Sequence, residues 1–376
     1  MQFRCFSLCV VIAVGGHHVF AADSQQIRDA LEIVNAIGRE GANSIEAAKA
    51  ARSLAEATPE SLPTILAGFE SSNPLAENLL RSAVETIADQ AQESSTALPT
   101  KDLIAFVNEP QRHGARARRL AFELLARADP DAAKKLLPNL LTDPSAELRR
   151  DAVGHWIGEA EELAKSGKPD EAKAAYEKAL SGAVDDDQVT TIVKALKERG
   201  VDVDLQRHFG FVTSWHAVGP FDNREQKGFD VAHPPEGQID LDAAYEGPLG
   251  EIRWRPISTE SSYGVVDVGK TFDNWKGSAT YLVATFDSPK GQPVELRLGT
   301  QNAWKLWLNG EYLFGREEYH RGMTMDQYRI PARLKAGENS ILIKLLQNEQ
   351  TEDWAQDYKF QLRVADPSGQ AVLPAR

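Results

Sequence analysis

The chain has 376 residues, two cysteines and a formal net charge of −13. Its isoelectric point lies near 5.2. So acidic a balance disfavours nucleic acid and anionic lipid surfaces as partners, and the length suits two domains of ordinary size.

The start reads as a secretory signal peptide over residues 1–21. Arg4 supplies a short basic region, and residues 6–15 form an apolar run too short to cross a bilayer. Val19-Phe20-Ala21 offers small residues at the cleavage positions, with Phe20-Ala21-Ala22 a close rival. Cys5 and Cys9 lie inside this segment, and Phe6-Ser7-Leu8 lacks the small residue that lipid attachment to Cys9 requires. The mature chain is therefore expected to be secreted or periplasmic, free of disulfides and held by core burial alone.

Residues 22–204 are expected to form a helical repeat. Thr58-Pro59, Asn73-Pro74, Asp129-Pro130 and Asp143-Pro144 each put a capping residue before a proline at a helix start. Leu75, Leu79, Leu80, Val84 and Ile87 follow at helical spacing. Leu-Pro recurs at Leu62-Pro63, Leu98-Pro99 and Leu137-Pro138, at the interval of a helix-pair repeat. Arg112, Arg116 and Arg119 would share one helix side, more simply a solvated face paired with acids than a binding surface. Asp185, Asp186 and Asp187 read as the acidic start of a helix rather than a calcium loop, and His155 as a packed histidine.

The stretch LLPNLLTDPSAELRRDAV, residues 136–153, resembles a HEAT repeat, with Asp143, Pro144, Arg149 and Val153 at that family's turn, arginine and inner-face positions. Trp156, Ala160, Leu163, Gly167, Ala172, Tyr176 and Ala179 resemble the spacing of one tetratricopeptide unit. The resemblance implies an α-solenoid that binds protein.

Six of the seven tryptophans lie beyond position 205, which marks the change to a second domain over residues 205–376. Short strand-like runs begin at residues 211–221, 251–257, 265–268, 279–286 and 294–298 and continue to residue 364, separated by Pro289-Lys290-Gly291, Asn309-Gly310 and Ala336-Gly337. In GTQNAWKLWLNGEYLF, residues 299–314, Trp304, Leu306 and Leu308 alternate with Lys305. Trp307 breaks the alternation, so both faces of this strand should be covered. Asn309-Gly310 then predicts a type I′ hairpin turn. The expected fold class is multidomain α then β: a HEAT- and tetratricopeptide-like α-solenoid, then an antiparallel jelly-roll β-sandwich.

Trp307, Asn309 and Gly310, followed by Leu334, Gly337 and Asn339, resemble the galactose-binding-like β-sandwich, in particular the sugar-binding domain of glycoside hydrolase family 2. WHAVGPFDN, residues 215–223, and GFDVAHPPE, residues 228–236, look like an extension of this sandwich found in large secreted bacterial proteins of unknown role. That sandwich is not the catalytic domain of its family, so the resemblance implies no catalytic residue.

No Gly-x-Ser-x-Gly elbow or His-Glu-x-x-His helix is present, and Glu317, Glu318 and His320 fall in one loop without partners from elsewhere. Neither a catalytic residue, nor a metal site, nor a cofactor is expected. Counting chain reversals puts the connections around residues 273–277, 300–302, 315–326 and 347–356 at one end of the sandwich. Sugar sites pair aromatic faces with planar polar groups. The expected ligand residues are therefore Trp275 and Trp354 for stacking, with Asn302, Tyr319, His320 and Arg321 beside them. The expected function is non-catalytic: a saccharide on the sandwich, a protein on the solenoid, no nucleic acid and no membrane span. The rivals are a purely structural protein-interaction module without a sugar site, and a hydrolase with an unrecognised active site or an accessory protein of a glycan-degrading hydrolase system.

Mass spectrometry of the secreted protein should find the amino terminus at Ala22 or Asp23, and reductant should leave the melting curve unchanged. A retained leader or a lipid on Cys9 would contradict this.

Overall fold

The computed structural model describes residues 24–375 apart from Arg39 and Ser72. The expected signal peptide lies outside the described residues. The chain is helical first and antiparallel β afterwards, without a closed barrel. No described helix is long and apolar enough to cross a membrane. Packing divides it into two compact units between Leu148 and Arg149.

The first unit holds α1 (Ser24–Asn35), α2 (Ser44–Leu54), α3 (Leu62–Ala67), α4 (Pro74–Glu93), α5 (Thr100–Val107), α6 (Ala115–Ala128) and α7 (Pro130–Leu136). Leu62, Ile65, Leu66, Leu80, Val84 and Leu125 are among its buried side chains. The Asn73 side chain caps α4 by accepting from the Leu75 and Ala76 amides, and Asp129 caps α7 through Ala132. Arg118, fully buried, donates to the Val107 carbonyl at 2.8 Å and grips Asp143 through both Nη atoms. The expected basic face does not form as one helix side. Arg112 precedes α6, on the far side of Gly114, because the chain turns there before the helix begins. Arg112 pairs with Glu109, Arg116 with Glu77 and Arg119 with Glu123.

The division falls near the start of α8 (Ala146–Lys165). The second unit contains the rest of that helix, α9 (Pro169–Gly182), α10 (Asp186–Lys197), α11 (Leu205–Phe209) and all the strands. Asp185 and Asp187 pair with Arg150, and Asp186 accepts from the Tyr263 hydroxyl at 2.7 Å. These acids stand at the start of α10 but serve side-chain pairs rather than a cap. His208 bonds the Ala183 carbonyl at 3.0 Å.

The strands are β1 (Ser214–Asp222), β2 (Ala244–Gly247), β3 (Gly250–Arg253), β4 (Arg255–Ser258), β5 (Val266–Asp267), β6 (Ser278–Ser288), β7 (Gln292–Thr300), β8 (Ala303–Leu308), β9 (Glu311–Arg316), β10 (Tyr328–Leu334), β11 (Gly337–Gln347) and β12 (Lys359–Ala365). A helical turn, α12 (Val268–Thr271), follows β5. One sheet runs β4-β1-β6-β11-β8-β9, the other β10-β7-β12-β5, and β2 pairs with β3. The run at residues 251–257 is two strands in different sheets, separated at Trp254.

The core between the large sheets holds Trp304, Leu306, Leu308, Ile341, Ile343 and Leu345 from one side and Leu296, Leu298, Phe360 and Leu362 from the other. Trp307 faces the opposite way. There Val218, Phe221, Tyr281, Val283 and Leu342 form a second buried cluster with Ile252 and Trp254, joined by Phe229 and Ile239. The chain between β1 and β4 thus covers the outer face of the six-stranded sheet. Asn309 and Gly310 both take positive φ, 54° and 80°, between Leu308 and Glu311, which fits a type I′ turn.

On the other sheet, buried Arg363 grips Asp326 at 2.6 Å through Nε and Nη2 and donates Nη1 to the Phe209 and Gly369 carbonyls. Arg297 reaches the same carboxylate at 2.6 Å. Burial pushes the Asp326 carboxyl up, but Arg363 and Arg297 more than offset this and hold it below its usual value. Their stabilisation is therefore present above the ordinary carboxylate range and is lost as pH falls through the lowered folded value. Asp326→Asn should cost about 3–5 kcal/mol at neutral pH, the scale of a buried pair deprived of one partner. The gap in melting temperature between variant and parent should narrow as pH falls below the ordinary carboxylate range; a gap constant with pH would rule out the ion pair as its cause.

Candidate functional site

Every pairing in the two large sheets is antiparallel. The connections before β6, between β7 and β8, between β9 and β10 and between β11 and β12 therefore emerge at one end. Backbone bonds tie them together there. The Gly277 amide donates to the Asn348 carbonyl at 3.0 Å, and the His320 amide to the Gln301 carbonyl at 2.6 Å. Lys276 Nζ reaches the Ala355 carbonyl at 2.9 Å, and Gln301 Nε2 the Asp357 carbonyl at 3.0 Å.

His320 sits in the left-handed region at φ 61°. Its Nε2 meets Asn348 Oδ1 at 3.0 Å, and its ring stands edge-on to Trp354, with centroids 4.9 Å apart. Trp354 is 58% exposed on a single helical turn. Asn302 is only 1% exposed, yet neither atom of its side-chain amide has a hydrogen-bond partner. Because Ala303 lies opposite Leu346, Asn302 comes next to Gln347, whose buried Oε1 is also unpartnered. His320 Nδ1 is a further unpartnered buried atom. Each such group costs about 1–3 kcal/mol, and such a group at a loop end calls for a reason.

The remaining expected residues are placed differently. Tyr319 packs toward the outer-face cluster, its hydroxyl accepting from Asn223 at 3.2 Å, and burial pushes its phenol up. Arg321 is exposed and held by Glu318. Because Glu318 turns to Arg321 while His320 turns to Asn348, the Glu317, Glu318 and His320 grouping does not converge. Trp275 lines a different groove with Trp254 and Arg255, and no ring contact joins it to Trp354 among the described residues. The structure thus joins His320 to Trp354, puts Asn302 at the same end beside Gln301, to which the His320 amide is bonded, and leaves Arg321 exposed and Trp275 in another groove.

Sequence reasoning placed Asn348 at this end without counting it as a ligand residue, and missed Asn223 and Gln347. Asn223, fully buried, donates its amide to Gly277 and its side chain to Gln347, and accepts from Gly228. The signal available was an amide residue closing each of two apolar strands.

It also missed a polar cluster beneath the chain that crosses the outer face. Lys344 is fully buried in the aliphatic run of β11. Its Nζ donates to the Phe229 and Val231 carbonyls at 3.1 and 2.7 Å and pairs with Glu236 at 3.0 Å, while Tyr281 donates to the same carboxylate at 2.5 Å. Burial pulls the Lys344 ammonium below its usual value against the pull of Glu236. Burial and Glu236 both push the Tyr281 phenol up. His233 packs on Phe221 and is pulled down by burial and by Lys344. A lone lysine within Ile-Leu-Ile-Lys-Leu-Leu was the signal. Lys344, Glu236 and Tyr281 satisfy one another, so the cluster is read as an anchor.

No family model and no curated protein matches the chain. Among solved structures it is similar to the GH31 alpha-xylosidase of Xanthomonas citri, at 9% identity over 42% of this chain and 16% of that one, with a TM-score of 0.19. It is also similar to a Pseudomonas fluorescens alkylpurine DNA glycosylase bound to DNA containing an abasic site analogue, at 11% identity over 92% of this chain and 95% of that one, with a TM-score of 0.18. The chain thus spans less than a fifth of the xylosidase. Likenesses this slight carry no argument about fold or activity.

Lys344→Met should free residues 223–240 from the sheet. Limited proteolysis within that segment should speed up by about tenfold, the effect of some 1.4 kcal/mol of lost local stability. Cleavage at the parent's rate would show that the lysine does not hold the segment.

Proposed function

We propose that this chain is a secreted or periplasmic binding protein without a catalytic role. Its sandwich, galactose-binding-like, recognises a saccharide, and its HEAT-like helical part binds protein. The observation that carries the saccharide reading is the convergence at one end of the sandwich: an exposed indole braced by His320, which Asn348 holds in turn, the buried amides of Asn302 and Gln347 at the same end, and Arg321 exposed next to His320. An indole face covers the apolar side of a pyranose, and planar amides and imidazole exchange hydrogen bonds with its hydroxyls. The scaffold beneath is a rigid sheet end, where binding loops are found.

The protein-binding reading of the helical part rests on its repeat architecture. Arg81, Arg112, Arg116, Arg119 and Arg127 are already paired with acids, so a partner would meet charge-balanced groups there.

A glycan array probed with the full chain should show retained saccharides. Trp354→Ala should weaken binding to them by about tenfold, the scale of an aromatic anchor, while keeping the parent's melting point. An array with no retained glycan sinks the reading.

A further inference from the structure

The groove that holds Trp275 is separate from the Trp354 cluster and has its own chemistry. It lies between the β2–β3 hairpin and the turn before β6, with a volume of about 460 Å³, within the range of small-ligand sites. Trp275, 36% exposed, forms one wall, Trp254 is buried in the lining, and Leu249 stands exposed at the hairpin tip. Arg255 is exposed but fixed. Its guanidinium stacks on the Phe272 ring at 4.4 Å, and Nη1 donates to the Thr271 carbonyl at 3.1 Å, which leaves its other donors to the groove. Asp273 is exposed, has no side-chain hydrogen bond or ion pair among the described residues, and is held at φ 52° with Asn274 at φ 55° beside it. Consecutive non-glycine residues in the left-handed region are uncommon and gather at binding turns.

The charges decide the ligand class. Arg253 is already paired with Glu251 at 2.9 Å. Arg255 and Asp273 bring opposite charges to one groove, so an anion meets the carboxylates and a cation meets the guanidinium groups. An uncharged polyol suits both: hydroxyls donate to Asp273 and accept from Arg255, and the indole covers an apolar ring face. Lys276 and Ala355, the residues directly after Trp275 and Trp354, are bonded to each other. The groove and the Trp354 cluster are therefore neighbours across one bridged pair of loops.

We propose that this groove is a second sugar subsite, so that the sandwich takes an uncharged oligosaccharide whose separate units rest on Trp275 and Trp354. The proposal rests on the saccharide reading and adds to it the charge class and the extended length of the ligand. Two linked subsites gain affinity through effective concentration only with a ligand long enough to reach both.

The test is calorimetric titration of the full chain with mono-, tri- and hexasaccharides of the cello, xylo, manno, laminari and malto series, and with a heparin hexasaccharide as anionic probe. An uncharged hexasaccharide should bind at least about tenfold more tightly than its monosaccharide. Trp275→Ala, and separately Arg255→Gln on the surface, should each remove about tenfold of that gain with the melting curve unchanged, and Trp275→Phe should restore part of it. Hexasaccharide binding that falls in Trp354→Ala but not in Trp275→Ala or Arg255→Gln overturns the groove and leaves the saccharide reading standing. Loss in the groove variants alone supports the groove and overturns the placement at Trp354. Preference for the heparin probe overturns the uncharged class, and a parent chain that binds no probe overturns both readings.

Discussion

The pairing of β6 with β11 is the constraint on which the sandwich and its candidate site depend. Gly337 lies opposite Ser288 and the register runs unbroken to Gln347 opposite Ser278. Side chains alternate between two buried environments along this ladder. Ile341, Ile343 and Leu345 enter the core between the sheets, while Leu342 and Leu346 enter the outer cluster. A slip of one residue would exchange the two sets and bring Lys344 into the inter-sheet core. The same ladder delivers Gln347 to the end where Asn302 and Asn223 meet it. The position of the loops at that end is therefore fixed by core packing and not by the loops themselves.

Buried polar groups divide into two kinds, and the division separates scaffold from site. Arg363 has Asp326 and two carbonyls, Lys344 has Glu236 and two carbonyls, and Asn339 donates to the Phe286, Lys335 and Gly337 carbonyls. Each ties distant segments together, and removing one partner leaves a costly buried charge or dipole. Asn302, Gln347 and His320 instead keep atoms without partners at the loop end. Unpartnered buried atoms also occur elsewhere among the described residues, Thr280 Oγ1, Trp304 Nε1 and Ser340 Oγ among them, so what distinguishes this end is their company with an exposed indole.

Much of this was legible in the sequence, for physical reasons that name themselves. Asn309-Gly310 admits positive φ twice in succession, so the hairpin could be placed to the residue. Trp307 broke a period of two, and the structure answers with a second buried face. Asn73 and Asp129 announced their helices because a short acceptor before proline satisfies the first free amides. The unread parts are long-range. Arg112 counted as helical because its spacing suited a helix, while His113-Gly114 ended that possibility locally. The cover over the outer face stayed hidden because residues 223–253 lack a strong period, and the partners that hold them, Lys344 and Tyr281, lie more than 40 residues away in sequence. The separation of Trp275 from Trp354 was equally invisible, since counting reversals fixes the end of a sandwich but not the side of it on which a loop lies.

The exposure of the two indoles is the last point that packing alone leaves open. A single exposed aromatic is ordinary on a protein surface. Here, however, each sits on a braced platform. Trp354 lies against the edge of a histidine whose other nitrogen is engaged by Asn348, and Trp275 precedes a lysine bonded across to the neighbouring loop. Bracing a side chain that stays partly in water adds less to folding than burying it would. It does remove rotamer and loop freedom that a ligand would otherwise have to freeze on binding. Order imposed on an apolar surface that remains wet is thus of more use to recognition than to stability, and the same end of the sandwich carries it on both loops.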